Sequence, residues 1–280
     1  MRFSGKDRPE TLFTPDPAPH IFSEKHRIMA FPFRLQSGAE PRAIVFDLDE
    51  TLIACDSTQC WTEWLYETGT VTDPAYRNAT RTMVERYRAG TLDIREFLRD
   101  MAPALEGLTR DALDRLIDRF ITERILPNVY PEGRALIAEA RAAGLHIGII
   151  SATAAYLVRP IALRLGVHEA IGIDLATKDG IPTGEVVGTP SFREGKIVRL
   201  AEWLEKKNGE GYFTEDASEG ALPPVKPADV FFFTDSRNDL PLALHAGGCA
   251  LVNPDPTIRA EGLKRGWPVL AWKVSDGNPA

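Results

Sequence analysis

Short apolar runs and amphipathic stretches alternate along most of the chain. The apolar runs occupy residues 43–46, 145–150, 230–234, 250–252 and 269–272. The amphipathic stretches between the later runs occupy residues 132–143, 154–165, 191–207 and 238–245. Continuous apolar runs are typical of strands buried on both faces of a parallel sheet, and the stretches between them have the period of helices. The pattern therefore predicts an α/β fold, in which a parallel sheet is flanked by helices and joined by right-handed crossovers.

Residues 57–127 break this alternation, because they contain no convincing strand. Apolar residues recur there at helical spacing, and glycines and prolines divide the segment into four stretches. We expect four helices inserted after the first strand, with their tryptophans and methionines in a hydrophobic core. The dipeptide Asp179-Gly180 lies between two β-prone stretches, so it predicts a hairpin over residues 171–188.

The first 40 residues are rich in proline and charge and show no sustained periodicity. They predict an irregular extension, whose phenylalanines pack on the core. These phenylalanines are Phe13, Phe22, Phe31 and Phe33. The predicted organisation is an N-terminal extension at 1–40, an α/β core at 41–56 and 128–280, a helical cap domain at 57–127, and a polar surface loop at 208–228.

The composition is that of an ordinary globular protein, with 40 acidic against 33 basic residues and a net charge of −7. This acidic balance argues against a nucleic-acid partner, which usually needs a basic face. No apolar run approaches the ~20 residues that span a bilayer, and the N-terminus has no apolar signal region. We therefore expect a cytoplasmic protein with no membrane partner. The three cysteines, Cys55, Cys60 and Cys249, do not have the number or spacing of a disulfide framework or a zinc site.

Polar residues follow three of the predicted strands where each one ends. They are Asp47 and Asp49, Ser151, and Asp235. Two carboxylates after one strand can be a solvated acidic turn, or they can hold a divalent metal or divide nucleophilic and acid–base work. Because the carboxyl ends of parallel strands meet at one edge of a sheet, three polar ends favour a functional site over a turn.

These residue types suit the chemistry of phosphate esters. An aspartate can attack phosphorus, and carboxylates can hold Mg²⁺, which offsets the charge of an anionic phosphate. The Ser151 hydroxyl and nearby backbone N–H groups can bind phosphate oxygens. Lys196 offers a compact positive charge, and Asp49 can give a proton to the leaving oxygen and later take one from water.

Four motifs follow one another along the chain. They are Asp47-Leu48-Asp49-Glu50-Thr51, Ser151-Ala152-Thr153, Arg193-Glu194-Gly195-Lys196 and Thr234-Asp235-Ser236-Arg237-Asn238-Asp239. Together with the helical insertion, this set resembles the haloacid dehalogenase (HAD) superfamily of phosphohydrolases, subfamily IB, in the branch similar to phosphoserine phosphatase. The resemblance covers residues 42–272. It implies a Rossmann-like parallel sheet of the HAD type with an inserted helical-bundle cap of the C1 type.

The resemblance also implies roles for individual residues. The implied catalytic residues are Asp47 as nucleophile, Asp49 as acid and base, and Lys196. The implied Mg²⁺ ligands are Asp47, Asp49 through its backbone carbonyl, Asp235 and Asp239, the last as an alternative to orienting Lys196. The residues implied to bind phosphate or substrate are Ser151, Ala152, Thr153, Asn238 and Asp56.

Several positions depart from the family pattern. Ser151-Ala152-Thr153 replaces Ser-Gly-Gly, and Thr234 replaces a glycine. Asp56 stands where a longer glutamate grips a substrate amine, although an aspartate there can equally be a helix N-cap. The arginine that grips the carboxylate of phosphoserine has no clear counterpart, and alignment places Met101 at its position. This weakens the case for phosphoserine, and Met101→Arg is expected to raise activity toward it.

The expected function is a Mg²⁺-dependent phosphomonoester hydrolase that acts through an aspartyl-phosphate. The expected substrate is a small organic phosphate, either phosphoserine-like or another amine-bearing metabolite. Two alternatives stay open. One is a phosphotransferase or mutase that uses the same intermediate, and the other is a non-catalytic binding protein on the same fold.

Overall fold

The centre of the molecule is a parallel sheet of six strands. A computed structural model describes residues 31–213 and 223–274. The strands are β1 (Ala43–Phe46), β2 (His146–Ala154), β3 (Glu169–Ile173), β4 (Leu175–Lys178), β5 (Ile181–Val186), β6 (Val230–Thr234), β7 (Gly248–Val252) and β8 (Val269–Leu270). The sheet has the order β3-β2-β1-β6-β7-β8, and every neighbouring pair is parallel. The predicted α/β fold is therefore confirmed.

Helices connect and flank these strands. They are α1 (Ser57–Glu67), α2 (Pro74–Ala89), α3 (Ile94–Met101), α4 (Arg110–Phe120), α5 (Pro131–Ala142), α6 (Ala155–Arg164), α7 (Glu194–Gly209), α8 (Leu240–His245) and α9 (Pro256–Arg265). A π-helical segment, Ile121–Ile125, continues α4. Several helices begin where an aspartate accepts hydrogen bonds from free N–H groups of the first turn, as Asp73 does for α2 and Asp255 for α9.

The central strands are buried along their whole length, because every residue of β1, β6 and β7 is buried. Strand β1 lies between β2 and β6, so Phe46 has Ile149 on one side and Phe233 on the other. The rings of Phe46 and Phe233 stack with their centroids 4.8 Å apart. Burial of one such side chain contributes about 1.5–3 kcal/mol. This packing fixes the edge of the sheet at which Asp47 and Asp235 emerge.

Helices α1 to α4 lie between β1 and α5, as predicted, but they do not share one bundle core. Trp61 and Trp64 of α1 and Phe120 of α4 belong to the hydrophobic cluster that also contains the central sheet. Met83 of α2 and Phe97 of α3 belong to a second, smaller cluster. The tryptophans and methionines are core residues, as expected. The division of the chain into a core and a cap domain stays a prediction.

Strands β4 and β5 form the antiparallel hairpin predicted at Asp179-Gly180. The hairpin is separate from the main sheet, and β5 packs against α3. The approach is close at Gly184, where an added Cβ atom would lie 2.6 Å from the carbonyl oxygen of Leu98 and 2.9 Å from Cβ of Ala102. Gly184 also has a φ of +78°. Both the contact and the backbone conformation therefore favour glycine at this position.

Two strands differ from the prediction. Strand β2 continues to Ala154, beyond its expected end at Ile150, because a register shift between these residues allows the chain to rejoin β3. Strand β3 was expected only as part of the hairpin region, yet it pairs with β2 in the main sheet. Its sequence Glu-Ala-Ile-Gly-Ile has no continuous apolar run, and its first three residues are only half-buried. This weak pattern explains why it was missed.

The last part of the predicted N-terminal extension packs on the sheet. Phe31 is buried in the main hydrophobic cluster, and the ring of Phe33 lies 5.2 Å from that of Phe231 and 5.1 Å from that of Phe233. The prediction for Phe13 and Phe22, and most of the predicted loop at 208–228, lie outside the described residues. Within 31–213 and 223–274, no helix combines the length and the apolar composition needed to cross a membrane.

Replacing Gly184 with alanine is expected to destabilise the fold by about 2–4 kcal/mol, because the methyl group overlaps α3 and the backbone has a positive φ. Urea unfolding of the two proteins measures the loss. Gly188→Ala is the matched control, since Gly188 has a φ of +68° but nothing within 4 Å of an added Cβ. Equal losses in the two variants would contradict the close approach of β5 to α3.

Candidate functional site

A cavity of about 480 Å³ lies at the carboxyl ends of β1, β2 and β6. Asp47 and Asp49 line it after β1, Asp235 lines it after β6, and Ala152 lines it within β2. Because β1 pairs with both β2 and β6, these side chains meet at one edge of the sheet. The cavity is therefore the place where the predicted residues Asp47, Asp49 and Asp235 come together.

A buried lysine joins two of the acidic motifs. Lys196 lies in the first turn of α7 and is 1% exposed. Its Nζ donates hydrogen bonds to Asp47 Oδ1 at 2.8 Å and to Asp239 Oδ2 at 2.7 Å. A buried charge is stable only when it is paired and hydrogen-bonded. One ammonium group thus holds together residues from β1, α7 and the turn after β6.

Asp239 is held from two sides. Its Oδ2 also accepts a hydrogen bond from the Thr234 hydroxyl at 2.8 Å, and the same hydroxyl accepts one from the backbone N–H of Ser236 at 3.1 Å. Its Oδ1 lies 2.6 Å from Lys196 Nζ without the geometry of a hydrogen bond. The hydroxyl gives a physical reason for threonine at position 234, because a glycine there could not anchor Asp239.

Asp49 is oriented by two donors from different parts of the chain. Its Oδ1 accepts a hydrogen bond from the backbone N–H of Ser57 at 2.8 Å, and its Oδ2 accepts one from the Thr153 hydroxyl at 2.7 Å. The Thr153 hydroxyl in turn lies 3.1 Å from that of Ser57. These bonds connect the acidic turn after β1 to the start of α1 and to β2.

Burial dominates the electrostatics of the site. It raises the pKa of Asp47 to about 7, with Asp239 and Asp49 adding to the effect and Lys196 opposing it. Burial, with the charge of Asp56, also raises the pKa of Asp49 to about 7. Burial and then Asp47 hold the pKa of Asp235 well above its ordinary value. For Lys196, burial disfavours the charge, but Asp239 and Asp47 outweigh it and raise the pKa. The site is a set of crowded carboxylates with one internal cation.

The donor set of the site fits a magnesium ion. Mg²⁺ is usually bound by one or two carboxylates, and it completes its shell with water and phosphate oxygens. Asp47 and Asp235 lie close enough for one charge to raise the pKa of the other, so a cation there would relieve their repulsion. The side chains of Asp49 and Asp239 are held by other partners. In the described parts of the chain, no group of three or more His, Cys, Asp or Glu residues forms a metal site.

The motifs and the fold together match one protein family. A sequence model of the haloacid dehalogenase-like hydrolases matches residues 44–244. The chain belongs to the haloacid dehalogenase-like hydrolases. The matched range contains all four motifs, from Asp47 to Asp239, so the resemblance drawn from these motifs is confirmed.

Several relatives of this HAD hydrolase are named phosphatases. It is 36% identical over 231 residues to a protein named histidinol-phosphatase from Neisseria meningitidis serogroup C, which covers 82% of this chain and 98% of that protein. A protein of unknown function from Bordetella pertussis Tohama I has a TM-score of 0.71 and 32% identity, over 83% of this chain and 99% of that one. A phosphoserine phosphatase with an analogue of its phospho-aspartyl intermediate has a TM-score of 0.56 and 22% identity, over 84% and 95%, which shows the fold alone. The chain is thus an enzyme, a phosphatase of the HAD type.

The Ser151-Ala152-Thr153 motif of the hydrolase lies inside β2 rather than after it. Ala152 lines the cavity, whereas Ser151 and Thr153 are buried beside it. Ser151 Oγ accepts a hydrogen bond from the N–H of Thr153 at 3.1 Å, and the Ser151 carbonyl accepts one from the Ser191 hydroxyl at 2.6 Å. Hydrogen bonds within the motif and from Ser191 therefore hold it in place. Binding of phosphate by the motif stays a prediction.

Two further predicted residues have structural partners as well as a place in the cavity. Asn238 lines the cavity, and its Nδ2 donates to the carbonyl of Tyr87 in α2 at 3.2 Å. Asp56 lines the cavity and is also the N-cap of α1, since its Oδ1 accepts from the N–H of Gln59 at 2.8 Å. The capping alternative for Asp56 is thus correct, and contact of Asp56 with a substrate stays a prediction.

The expectation for Met101 is wrong. Met101 is buried in the cluster of α2 and α3, where its sulfur lies 3.8 Å from the Thr62 hydroxyl and 3.5 Å from the Thr80 hydroxyl. It does not line the cavity. An arginine at this position would place a charge in an apolar cluster, so Met101→Arg offers no contact to a substrate carboxylate.

The apolar wall of the cavity was not predicted from the sequence. This wall comes from α2, α3 and the turn between them, and its members are Met83, Tyr87, Leu92, Ile94 and Phe97. These residues follow the helical period, and that period is the same whether a side chain faces a core or a cavity. Arg237 was present in the fourth motif but received no role, although it also lines the cavity.

Replacing Thr234 with valine keeps the shape of the side chain but removes the hydroxyl that donates to Asp239. We expect a loss of about 1–3 kcal/mol in the free energy of unfolding, because a buried carboxylate oxygen loses a partner. Denaturant unfolding of the variant and the wild-type protein measures this loss of stability. Thr234→Ser is the control, since it keeps the hydroxyl, and it should lose less than the valine variant. A valine variant as stable as the wild-type protein would show that this hydrogen bond does not support Asp239.

Proposed function

We propose that this phosphatase is a Mg²⁺-dependent phosphomonoester hydrolase that acts through an aspartyl-phosphate on Asp47. The observation that carries the proposal is the buried contact between Lys196 and Asp47 at the edge of the cavity that Asp49 and Asp235 also line. An aspartate that must attack an anionic phosphate needs positive charge beside it. Lys196 supplies that charge from within the fold.

In the first step, a carboxylate oxygen of Asp47 forms a bond to phosphorus, and the bond from phosphorus to the ester oxygen breaks. The leaving oxygen takes a proton from Asp49, which acts as general acid. Hydrogen bonds from Ser57 and Thr153 fix the orientation of Asp49 for this transfer. The product alcohol then leaves the cavity, while the phosphoryl group stays on Asp47.

In the second step, water attacks phosphorus and the bond to Asp47 breaks. Asp49, now a carboxylate, takes the proton of the water as general base. Lys196 stays next to Asp47 in both steps, and Asp239 keeps the ammonium group in place. This step releases inorganic phosphate and returns Asp47 to a free carboxylate and Asp49 to its protonated form.

Asp47 and Asp235 are the side chains that we propose to hold Mg²⁺, in agreement with two of the four ligands that the family resemblance implies. When bound, the ion would supply Lewis-acid stabilisation to the phosphoryl group. Asp239 has the other of its two implied roles, because both of its oxygens are directed to Lys196 and Thr234. Its part is therefore to orient Lys196.

The cavity favours a substrate that is both cationic and partly apolar. Its polar side carries Glu50, Asp56 and Asp255 in addition to the acidic motif residues, and its other side is the apolar wall of α2 and α3. Among the lining residues whose side chains the structure describes, Arg237 alone is basic. Carboxylates attract an amine or imidazolium group, and aromatic and aliphatic side chains can pack on a flat ring.

Histidinol phosphate combines these features, because it carries a primary amine and an imidazole ring beside the phosphate. We propose it as the substrate, in line with the name of the Neisseria meningitidis relative. Phosphoserine carries a carboxylate, which would meet the acidic side of the cavity. Electrostatic repulsion of this kind discriminates against the wrong substrate.

Replacing Asp47 with asparagine is expected to abolish hydrolysis of p-nitrophenyl phosphate while the protein stays folded. The reason is that an amide cannot form the phosphorylated intermediate. Asp118→Asn is the matched control, since Asp118 is an exposed partner of Arg164 that does not line the cavity, and it should keep wild-type turnover. Substantial turnover by the Asp47 variant, with an unchanged circular dichroism spectrum, would exclude Asp47 as the nucleophile.

Replacing Asp56 with asparagine separates its two roles, because asparagine is an equally good N-cap but carries no charge. We expect kcat/KM for histidinol phosphate to fall about tenfold further than kcat/KM for p-nitrophenyl phosphate, which has no amine. Steady-state kinetics on both substrates measures the difference. An equal change on both substrates would show that Asp56 makes no contact with the substrate amine, because loss of its charge acts on Asp49 for either substrate.

A further inference from the structure

Two side chains of the core bind the last turn of α2 above the cavity. Arg193 Nη2 donates a hydrogen bond to the carbonyl of Gly90, and Asn238 Nδ2 donates one to the carbonyl of Tyr87 at 3.2 Å. Arg193 Nε also donates to Asn238 Oδ1 at 3.4 Å, so the two are linked. We call this set of contacts the α2 latch.

The chemistry of the α2 latch suits its place. The last carbonyl groups of a helix have no partner within the helix and carry a partial negative charge. A guanidinium group can donate hydrogen bonds to these carbonyl groups, and its positive charge offsets their partial negative charge. Ring contacts add to the same junction, because the Arg193 guanidinium lies 4.7 Å from the Phe192 ring, which lies 5.8 Å from the Tyr87 ring. Hydrogen bonds and ring contacts therefore occur together at the junction between Arg193 and the end of α2.

Arg193 has a backbone conformation that favours glycine. Its φ is +52° and its ψ is −125°. A non-glycine residue is strained there, and such strain persists only where the surroundings hold it in place. The side-chain contacts of Arg193 with α2 are the interactions that a glycine could not provide. The strain therefore points to a role for the arginine side chain.

The backbone of Arg193 is also connected to the site. Its carbonyl accepts a hydrogen bond from the N–H of Lys196 at 3.0 Å, at the beginning of α7. Lys196 is the residue that pairs with Asp47 and Asp239. One residue, Arg193, thus contacts the end of α2 through its side chain and the first turn of α7 through its carbonyl.

Helix α2 contributes side chains to the wall of the cavity. Met83 and Tyr87 of α2 line the cavity, and α2 and α3 pack in a hydrophobic cluster that also contains Ala154 of β2 and Ile173 of β3. Tyr87 lines the cavity together with Ser236, which follows Asp235. Binding the end of α2 therefore places the wall over the reacting groups.

We propose that Arg193 is a positioning residue that couples the placement of α2 over the cavity to the placement of Lys196 beside Asp47. Its link to turnover rests on the proposed function. Its link to α2 does not, because the α2 latch is a property of the folded chain. The closing experiment therefore measures the two links separately.

The test compares the wild-type protein with Arg193→Gly, Arg193→Lys and Arg95→Ala. Glycine removes the contacts that the Arg193 side chain makes in the latch and relieves the backbone strain, so this variant is expected to fold. Lysine retains a cation that can reach one carbonyl group. Arg95→Ala is the matched control, because Arg95 joins α3 to the carbonyls of Val186 and Gly188, at 3.5 and 3.2 Å, on the exposed side away from the cavity.

Two readouts are needed. The first is kcat and KM with p-nitrophenyl phosphate and Mg²⁺, and the second is hydrogen exchange at the amides of Gly90 and Thr91. We expect kcat/KM of Arg193→Gly to fall about 10- to 100-fold, as for loss of hydrogen bonds to a charged group, with a lower kcat. Exchange at the end of α2 should be faster than in the wild-type protein. Arg193→Lys should recover part of the lost activity and part of the lost protection from exchange. Arg95→Ala should match the wild-type protein in activity and in exchange.

Three results would overturn the proposal. They are an Arg193→Gly variant with wild-type kcat/KM, a variant whose activity falls while exchange at α2 stays unchanged, and equal effects in Arg193→Gly and Arg95→Ala. If the wild-type protein hydrolyses no phosphate ester, the proposed function fails. In that case, faster exchange at α2 in Arg193→Gly still supports the latch, and unchanged exchange overturns it.

Discussion

Burial of the Lys196 ammonium group between Asp47 and Asp239 is the constraint on which the rest of the site depends. A lone charge in the interior is costly, and breaking a buried pair costs about 3–5 kcal/mol, out of a typical total stability of about 5–15 kcal/mol. The three residues come from β1, α7 and the turn after β6. Correct packing of the sheet is therefore a condition for this cluster, and the cluster in turn fixes how these elements meet.

The same burial shapes the chemistry. It raises the pKa values of Asp47, Asp49 and Asp235, because each charged form is taken out of water and placed near the others. The proposed Mg²⁺ ion would add positive charge to these carboxylates. The acidic side of the cavity suits the amine of the proposed substrate for the same reason, and the apolar wall of α2 and α3 suits its ring. The proposed reaction thus depends on the edge of the sheet, and the proposed substrate depends on the walls of the cavity.

Residues whose place depends on a strand end could be predicted from the sequence. Asp47 and Asp235 follow continuous apolar runs, and parallel pairing brings such ends together. The fold class and the family followed from this order of motifs. The partners of Asn238 and the position of Met101 away from the cavity could not be predicted, because they depend on how α2 and α3 pack against the core. A helical period identifies an apolar face but not the surface that this face meets.

The central claim is that Asp47 carries the phosphoryl group during turnover, and mass spectrometry of acid-quenched enzyme tests it most directly. The protein is mixed with substrate and Mg²⁺, quenched within one turnover and digested. The account predicts that the peptide containing Asp47 gains the mass of one phosphoryl group, and that hydroxylamine treatment removes it. Phosphate on a different residue, or complete turnover with no phosphorylated peptide at any quench time, would contradict the account.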